Sequence, residues 1–336
     1  DINADLKIIA MSKKSGFIEY QAGAIVLAMG CRERSRAQIL LTGTRPAGVY
    51  SAGTAQRWVN IEGYMPGKKF VILGSGDIGM IMARRLTIEG AKVERVLEIM
   101  PYLTGLTRNY VQCLMDYDIT LQKSHTVKNI LGDKRVEAIE SVAVDEKWNP
   151  IPGSEEIIPC DTLLLSVGLI PENELSKKAG VALDPITGGP FVDDRFMTNV
   201  PGIFAAGNVV HVYDLVDWVT EAGFVAGRGA ALYAKKQQHT TINHVSLAAG
   251  ENIRYVVPHA IDRESLSTEI VRLQMRVTKP IEQRVRLTIE DEQGNVLAKK
   301  AEPYARPGEI ITMEMKSDAY DLVKKASKIK VNLRES

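Results

Sequence analysis

No apolar run in this chain of 336 residues approaches the roughly 20 that a membrane-crossing helix needs, so no membrane span is expected. Cysteine is scarce: Cys31, Cys113 and Cys160 lie far apart, with no CxxC or metal-ligand spacing, which points to reduced structural thiols and a cytoplasmic setting. The five histidines, His125, His211, His239, His244 and His259, show no ligand spacing with one another, and no metal is expected. Neither charge is in excess. A net charge of +1, with basic and acidic residues balanced throughout, argues against nucleic acid or another polyanion as partner. The chain starts Asp1-Ile2-Asn3, without methionine and in what reads as mid-domain strand sequence, and this suggests truncation or processing.

What is present is one glycine fingerprint for a dinucleotide, Gly74-Ser75-Gly76-Asp77-Ile78-Gly79. The spacing alone also occurs in ordinary tight turns, so its setting matters. Lys69 to Leu73 is a short apolar run that reads as a buried strand, and Ile78, Ile81, Met82 and Leu86 follow at helical spacing. In a strand-turn-helix unit the first glycine allows the tight turn, the second lets backbone approach a pyrophosphate, and the third lets helix and strand pack closely. Amides at the helix start then face the phosphates, where the helix dipole favours an anion. Glu98 ends the next strand at about the spacing expected of a ribose 2′-hydroxyl acceptor. A carboxylate there disfavours a 2′-phosphate, so NAD(H) is expected over NADP(H).

Strand signals at Leu6–Ala10, Gly16–Tyr20 and Ala24–Ala28 precede a turn-rich stretch. A helical segment over 107–117, strands near 119–121 and 136–144, and the run Thr162–Gly168 come later. Strands alternating with helices imply a parallel α/β sheet. From residue 250 the pattern changes. Val271, Leu273, Met275 and Val277 alternate with polar residues, as do Val285, Leu287 and Ile289; Ile311, Met313 and Met315; and Ile329, Val331 and Leu333. That period predicts strands with one wet face in a small antiparallel β domain, with a hairpin turn at Asp291–Asn295.

Ala24–Gly30 and Thr162–Gly168 followed by Leu169–Asn173 resemble the two chain crossings between the FAD and NAD domains of the pyridine nucleotide-disulfide oxidoreductase superfamily. Val200–Asn208 is similar to its second FAD motif, with Asn208 where the family usually has Asp. Trp218–Gly223 before a small-residue helix, Ala226–Ala234, resembles the element whose amides face the flavin. The resemblance implies a Rossmann-like α/β fold with two dinucleotide-binding domains, N-terminally truncated, followed by the β domain. Residues 1–45 would be a remnant of the FAD domain and 46–161 an NAD(P)-binding domain inserted in it. Residues 162–245 would be the C-terminal part of the FAD domain and 250–336 the β domain. Implied cofactor contacts are Gly74, Ser75, Gly76, Asp77, Ile78, Gly79 and Glu98 for NAD, with Ala28, Gly30, Gly168, Gly207, Asn208, Val219 and Thr220 around FAD in a full-length protein.

Two departures from the family pattern matter. Ser51 and Thr54 stand where thioredoxin-reductase-like members carry a redox CxxC, and hydroxyls cannot cycle through a disulfide. No second glycine fingerprint supplies the FAD pyrophosphate site, so weak or no FAD binding and little activity are expected of this chain alone. The runs 43–50, 60–67 and 208–217 look like a bacterial subgroup resembling alpha subunits of amino-acid and opine oxidases, or partners of glycerol-3-phosphate-dehydrogenase-like flavoproteins. This likeness implies an oxidoreductase relaying hydride or electrons to a second flavoprotein or electron-transfer subunit. No catalytic side chain is expected, since the cofactors carry the chemistry. His211, Asp214, Asp217 and Glu221 are candidates to handle protons, against the alternative of a solvated loop face with a satisfied histidine. The rival from another class is a module in which ADP, ATP or NAD is structural.

Overall fold

A computed structural model describes residues 1–235, 243–263, 271–315 and 317–336; His239 lies outside them. The chain forms two compact units, one made of Asp1–Arg32 with Pro171–Ser336 and the other of Glu33–Ile170.

The first unit opens with an antiparallel hairpin, β1 (Lys7–Ser12) and β2 (Gly16–Gln21), and then β3 (Ile25–Leu27). The second unit follows. It contains β4 (Thr42–Gly43), β5 (Val49–Ser51), α1 (Ala52–Arg57), β6 (Lys69–Leu73), α2 (Asp77–Ile88), β7 (Lys92–Glu98), α3 (Thr107–Cys113), β8 (Leu121–Lys123), β9 (His125–Leu131), β10 (Ala138–Ala143), β11 (Glu156–Pro159) and β12 (Thr162–Leu165). Five strands form a wholly parallel sheet in the order β5-β12-β6-β7-β8. Phe70 and Ile72 of β6 pack with Met80, Ala83 and Leu86 of α2, whereas Val71 and Leu73 join Val127, Ile130 and Ile139 of the small sheet β11-β10-β9-β4. Burial on both faces explains why β6 is an unbroken apolar run. The run beginning at Thr162, assigned from sequence to the flavin-side segment, instead supplies β12, which lies between β5 and β6 in the parallel sheet.

Back in the first unit, β13 (Ile203–Ala205) pairs in parallel with β3, and α4 (Val216–Ala234) presents Ala222, Ala226, Gly229 and Ala230 to that pair. A Cβ at Gly229 would come within 2.8 Å of the Phe204 ring, so the small residues set how closely helix and strand approach. The helix starts ten residues before the expected Ala226: Leu215 at its head is extended and makes no side-chain cap, leaving no capping residue in the sequence to mark the start.

The C-terminal region comprises β14 (His244–Ala249), β15 (Ile253–Val257), β16 (Ala260–Asp262), β17 (Val271–Val277), β18 (Val285–Asp291), β19 (Val296–Glu302), β20 (Ile311–Met315), α5 (Ser317–Lys325) and β21 (Lys328–Glu335). Sheets ordered β16-β14-β21-β18-β19 and β15-β17-β20 share one core, in which Leu273, Leu287, Met313 and Val331 meet. Pairing is antiparallel throughout, except that β14 runs parallel to β21. The Asp291–Asn295 turn joins β18 to β19, with the Asp291 carboxylate accepting from the Asn295 backbone at 2.8 Å. Tyr255 and Val257 of these sheets are buried in the same core as Phe204 and Val210, so this sandwich of two sheets and the β3–β13 pair form one folded body.

Candidate nucleotide-binding site

The glycine turn lies at the C-terminal end of β6, in the middle of the parallel sheet, where doubly wound folds bind ligands. Gly74 has φ +103°, and a Cβ there would sit 2.1 Å from the Ser166 carbonyl oxygen. At Gly79 a Cβ would meet the Gly74 carbonyl at 2.7 Å and the Ser166 side chain at 2.8 Å. Both glycines are therefore required by the protein's own packing. Gly76 is different: a Cβ there meets nothing closer than the Ser166 hydroxyl at 3.5 Å, an ordinary contact. The space in front of Gly76 is one that a Cβ would narrow and that a phosphate can approach. Gly76 is also the N-cap of α2 and provides no side-chain acceptor, so the first-turn amides other than that of Gly79 are left for an anion. The residues present fit a dinucleotide pyrophosphate.

Ser166 was not legible as a site residue. It follows β12 and its hydroxyl accepts from the Gly79 amide at 3.0 Å, clasping helix to sheet; a polar residue closing the apolar run Leu163–Leu165 was the available signal.

The placement of Glu98 departs from the expected ribose contact. It is 3 % exposed, and its carboxylate is engaged by the chain itself. One oxygen accepts from the Ser75 amide at 2.8 Å, the Ser75 hydroxyl at 2.6 Å and the Thr104 hydroxyl at 2.8 Å, and the other accepts from the Met100 amide at 2.9 Å. Glu98 thus fastens the segment after β7 onto the glycine turn, and its charge no longer favours NAD(H) over NADP(H). Asp77 does the same from the other side, accepting from the Leu106 amide at 2.9 Å and the Asn109 side chain at 2.7 Å. Gly105 permits the approach, since a Cβ there would lie 2.7 Å from the Ser75 carbonyl oxygen. Thr104, Gly105 and Asn109 were missed because their role depends on this fold-back.

Ile78 is partly buried in the core beside α2. Gly168 has φ +95°, with open space where a side chain would stand. In the other unit, Ala28 is exposed, and Gly30 has φ +70° with equally open surroundings. Gly207, at φ +75°, opens a short turn in which Asn208 accepts from the Tyr213 amide at 3.1 Å. Val219 and Thr220 lie inside α4 rather than before it, and the Thr220 hydroxyl bonds back to the Val216 carbonyl at 3.0 Å. The uncapped start of this 19-residue helix and the positive-φ glycine beside Asn208 fit the flavin-facing element of the resemblance.

The four candidate proton-handling residues do not form a set. His211 is buried, at 1 % exposure, and burial together with the nearby charge of Arg276 pushes its imidazole down to about 3. Asp214 pairs with Arg276, Glu221 pairs with Arg272, and Asp217 is exposed in the first turn of α4. The loop bearing His211 is thus packed rather than solvated. Ser51 caps α1, accepting from the Thr54 amide, and its hydroxyl lies 2.9 Å from that of Thr54. Cys31, Cys113 and Cys160 form no disulfide; Cys113 and Cys160 are buried, and burial pushes the Cys160 thiol up to about 12. Among the described residues no cluster of His, Cys, Asp or Glu could hold a metal ion, and no helix is long and apolar enough to cross a membrane.

Thioredoxin reductase of Listeria innocua is 27% identical over 225 residues, covering 66% of this chain and 66% of that protein. One of the subunits of opine oxidase from Agrobacterium tumefaciens is 26% identical over 226 residues, covering 64% of this chain and 43% of that protein. The chain therefore spans less than two thirds of the length of these relatives. Among solved structures, T. acidophilum thioredoxin reductase superposes with TM-score 0.55 at 24% identity, over 69% of this chain and 74% of that one. A FAD-dependent pyridine nucleotide-disulphide oxidoreductase from Desulfovibrio vulgaris superposes with TM-score 0.54 at 19% identity, over 93% of this chain and 76% of that one. Residues 2–223, which include the glycine turn, β12 and the Gly207 loop, match the pyridine nucleotide-disulphide oxidoreductase family, and this chain belongs to it.

Proposed function

We propose that this chain is part of a flavin-dependent oxidoreductase that relays hydride or electrons between NAD(H) and FAD or a partner protein, and that it does not reduce disulfides. The observation that carries this reading is the glycine turn, where Gly74 and Gly79 are dictated by packing while Gly76 is left open at the head of an uncapped helix. Backbone amides at the start of α2 would hold the pyrophosphate, and Gly74 and Ser166 would keep them aimed. Gly207, Asn208 and the first amides of α4 would contact the flavin, with Ala28 and Gly30 of the same unit giving close backbone access. When bound, the nicotinamide supplies a hydride and the flavin takes up its electron pair. The chain's own work is to bind and orient, so no acid or base is assigned.

The absence of thiols at positions 51 and 54 argues against disulfide reduction at that place. Relatives named as one subunit of an opine oxidase and as the ferredoxin reductase component of a chlorobenzene dioxygenase support delivery of electrons to another protein. Calorimetric titration of the chain with NADH, NADPH and ADP tests the reading. Preference for NADH over ADP supports it, equal affinities point to a module in which the nucleotide is structural, and binding of none overturns both. The NADH to NADPH ratio reports the specificity that Glu98 no longer explains.

A further inference from the structure

The sandwich reaches into the loop that carries Asn208. Arg276 of β17 donates to the Val212 carbonyl at 3.2 Å, to the Pro307 carbonyl at 3.0 Å and to the Tyr255 hydroxyl oxygen at 3.1 Å, and it pairs with the Asp214 carboxylate. The other Asp214 oxygen accepts from the Ile310 amide at 2.7 Å. One side chain thus ties a backbone carbonyl and a carboxylate of the 207–214 loop to two segments of the sandwich. On the loop's other side the Asn173 amide donates to the Val209 carbonyl at 3.0 Å, and within the loop Asn208 holds the Tyr213 amide. A nearly buried charged pair is a weak source of net stability, because desolvating both partners offsets their attraction. It is well suited to specifying one conformation of a loop that has little regular structure of its own.

We propose that the C-terminal sandwich is a clamp on this loop, with Arg276 and Tyr255 as positioning residues that fix how Asn208 is presented. Arg276 can only donate, so the Tyr255 oxygen accepts from it, and the same hydroxyl lies 3.4 Å from His211 Nδ1. The rings of Tyr213 and Tyr255 face the His211 imidazole, so Tyr255 packs the loop's histidine as well as engaging Arg276. The clamp rests on the proposed function only in that the loop is read as a flavin contact.

The test uses the full chain and two variants, Arg276→Lys, which keeps the charge but cannot reach four acceptors, and Tyr255→Phe, which keeps the ring. Amide hydrogen exchange at Tyr213 and Ile310 should quicken at least ten-fold in Arg276→Lys, with NADH affinity within two-fold of wild type. Tyr255→Phe, which removes one acceptor of Arg276, should quicken exchange at Tyr213 by a smaller factor. Unchanged exchange in a folded Arg276→Lys overturns the clamp. Should Arg276→Lys not fold, Tyr255→Phe decides, and unchanged exchange at Tyr213 in that variant overturns the clamp. FAD binding, followed by quenching of flavin fluorescence, separates the two proposals. A ten-fold weaker Arg276→Lys supports both, whereas faster exchange with no FAD binding in any form supports the clamp and removes the flavin role of the loop.

Discussion

The Gly74–Gly79 turn and the Gly207–Asp214 loop both follow strands in their units, and both end in a helix whose first turn lacks a side-chain cap. They are held by different kinds of contact. The turn owes its shape to Ser166 after β12 and Glu98 at the end of β7, and to two glycines that tolerate no side chain. The loop owes its shape to Arg276 and Tyr255. Partners are remote in both, 87 residues for Ser166 and Gly79 and 62 for Arg276 and Asp214. Glycine spacing nevertheless marks the turn, whereas nothing in the loop's own sequence marks its clamp.

The largest expected effect falls on the loop. Arg276→Met would take the cation away from the nearly buried Asp214 carboxylate and cost about 3–5 kcal/mol. Urea denaturation should recover much of this in the double variant Arg276→Met/Asp214→Asn, and failure of the second change to rescue the first would mean that the pair is not what holds the loop.

Next come the glycines of the turn, where chemically identical substitutions should separate. Gly74→Ala forces a Cβ against the Ser166 carbonyl at positive φ and is expected to cost about 3 kcal/mol of stability, seen as a lower thermal midpoint. Gly76→Ala keeps φ −64° and has room, so stability should change by less than about 0.5 kcal/mol. NADH affinity should nevertheless fall about ten-fold, or roughly 1.4 kcal/mol. Equal losses of stability at both positions would erase the distinction between packing and ligand approach.

Two histidines of the first unit predict opposite pH dependence. His211 is pushed down to about 3 in the folded chain, so below its unfolded value of about 6.5 the unfolded state binds the extra proton. Stability is therefore lost as pH falls, by about 2 kcal/mol between pH 7 and pH 5, and His211→Asn should flatten that slope in denaturation curves taken across the range. His244 lies 3.4 Å from the Asp193 carboxylate; although burial opposes its charge, Asp193, Asp262 and Asp194 together raise its pKa. Its contribution is present in acid and lost as pH rises through the raised value, a smaller effect in the same assay. His244→Gln should cost more stability at pH 6 than at pH 9.

The fold was legible where one residue does one job. Val271, Leu273, Met275 and Val277 alternate because every second residue of β17 faces the sandwich core, and all four are buried. The unbroken run of β6 announced burial on both faces. Reading was poorest where a residue's partner comes from elsewhere. Glu98 has the spacing of a ribose ligand, yet the fold-back allowed by Gly105 gives its carboxylate four donors from the chain. His211 looked like a loop residue near a cofactor, but the sandwich buries it.

By itself the amino-acid sequence determined the order of strands and helices around the glycine turn, the absence of thiols at 51 and 54, and the two-residue period of the C-terminal strands. These are properties of backbone geometry and of single side chains, and they act over a few residues. Only the tertiary structure decided that Ser166 closes the space at Gly74 and Gly79 while Gly76 is left open, that Glu98 serves the protein, and that Arg276 holds the Asn208 loop. Each of these depends on which side chain meets which backbone atom across the fold, a matter of packing between residues whose separation in sequence carries no trace of their contact.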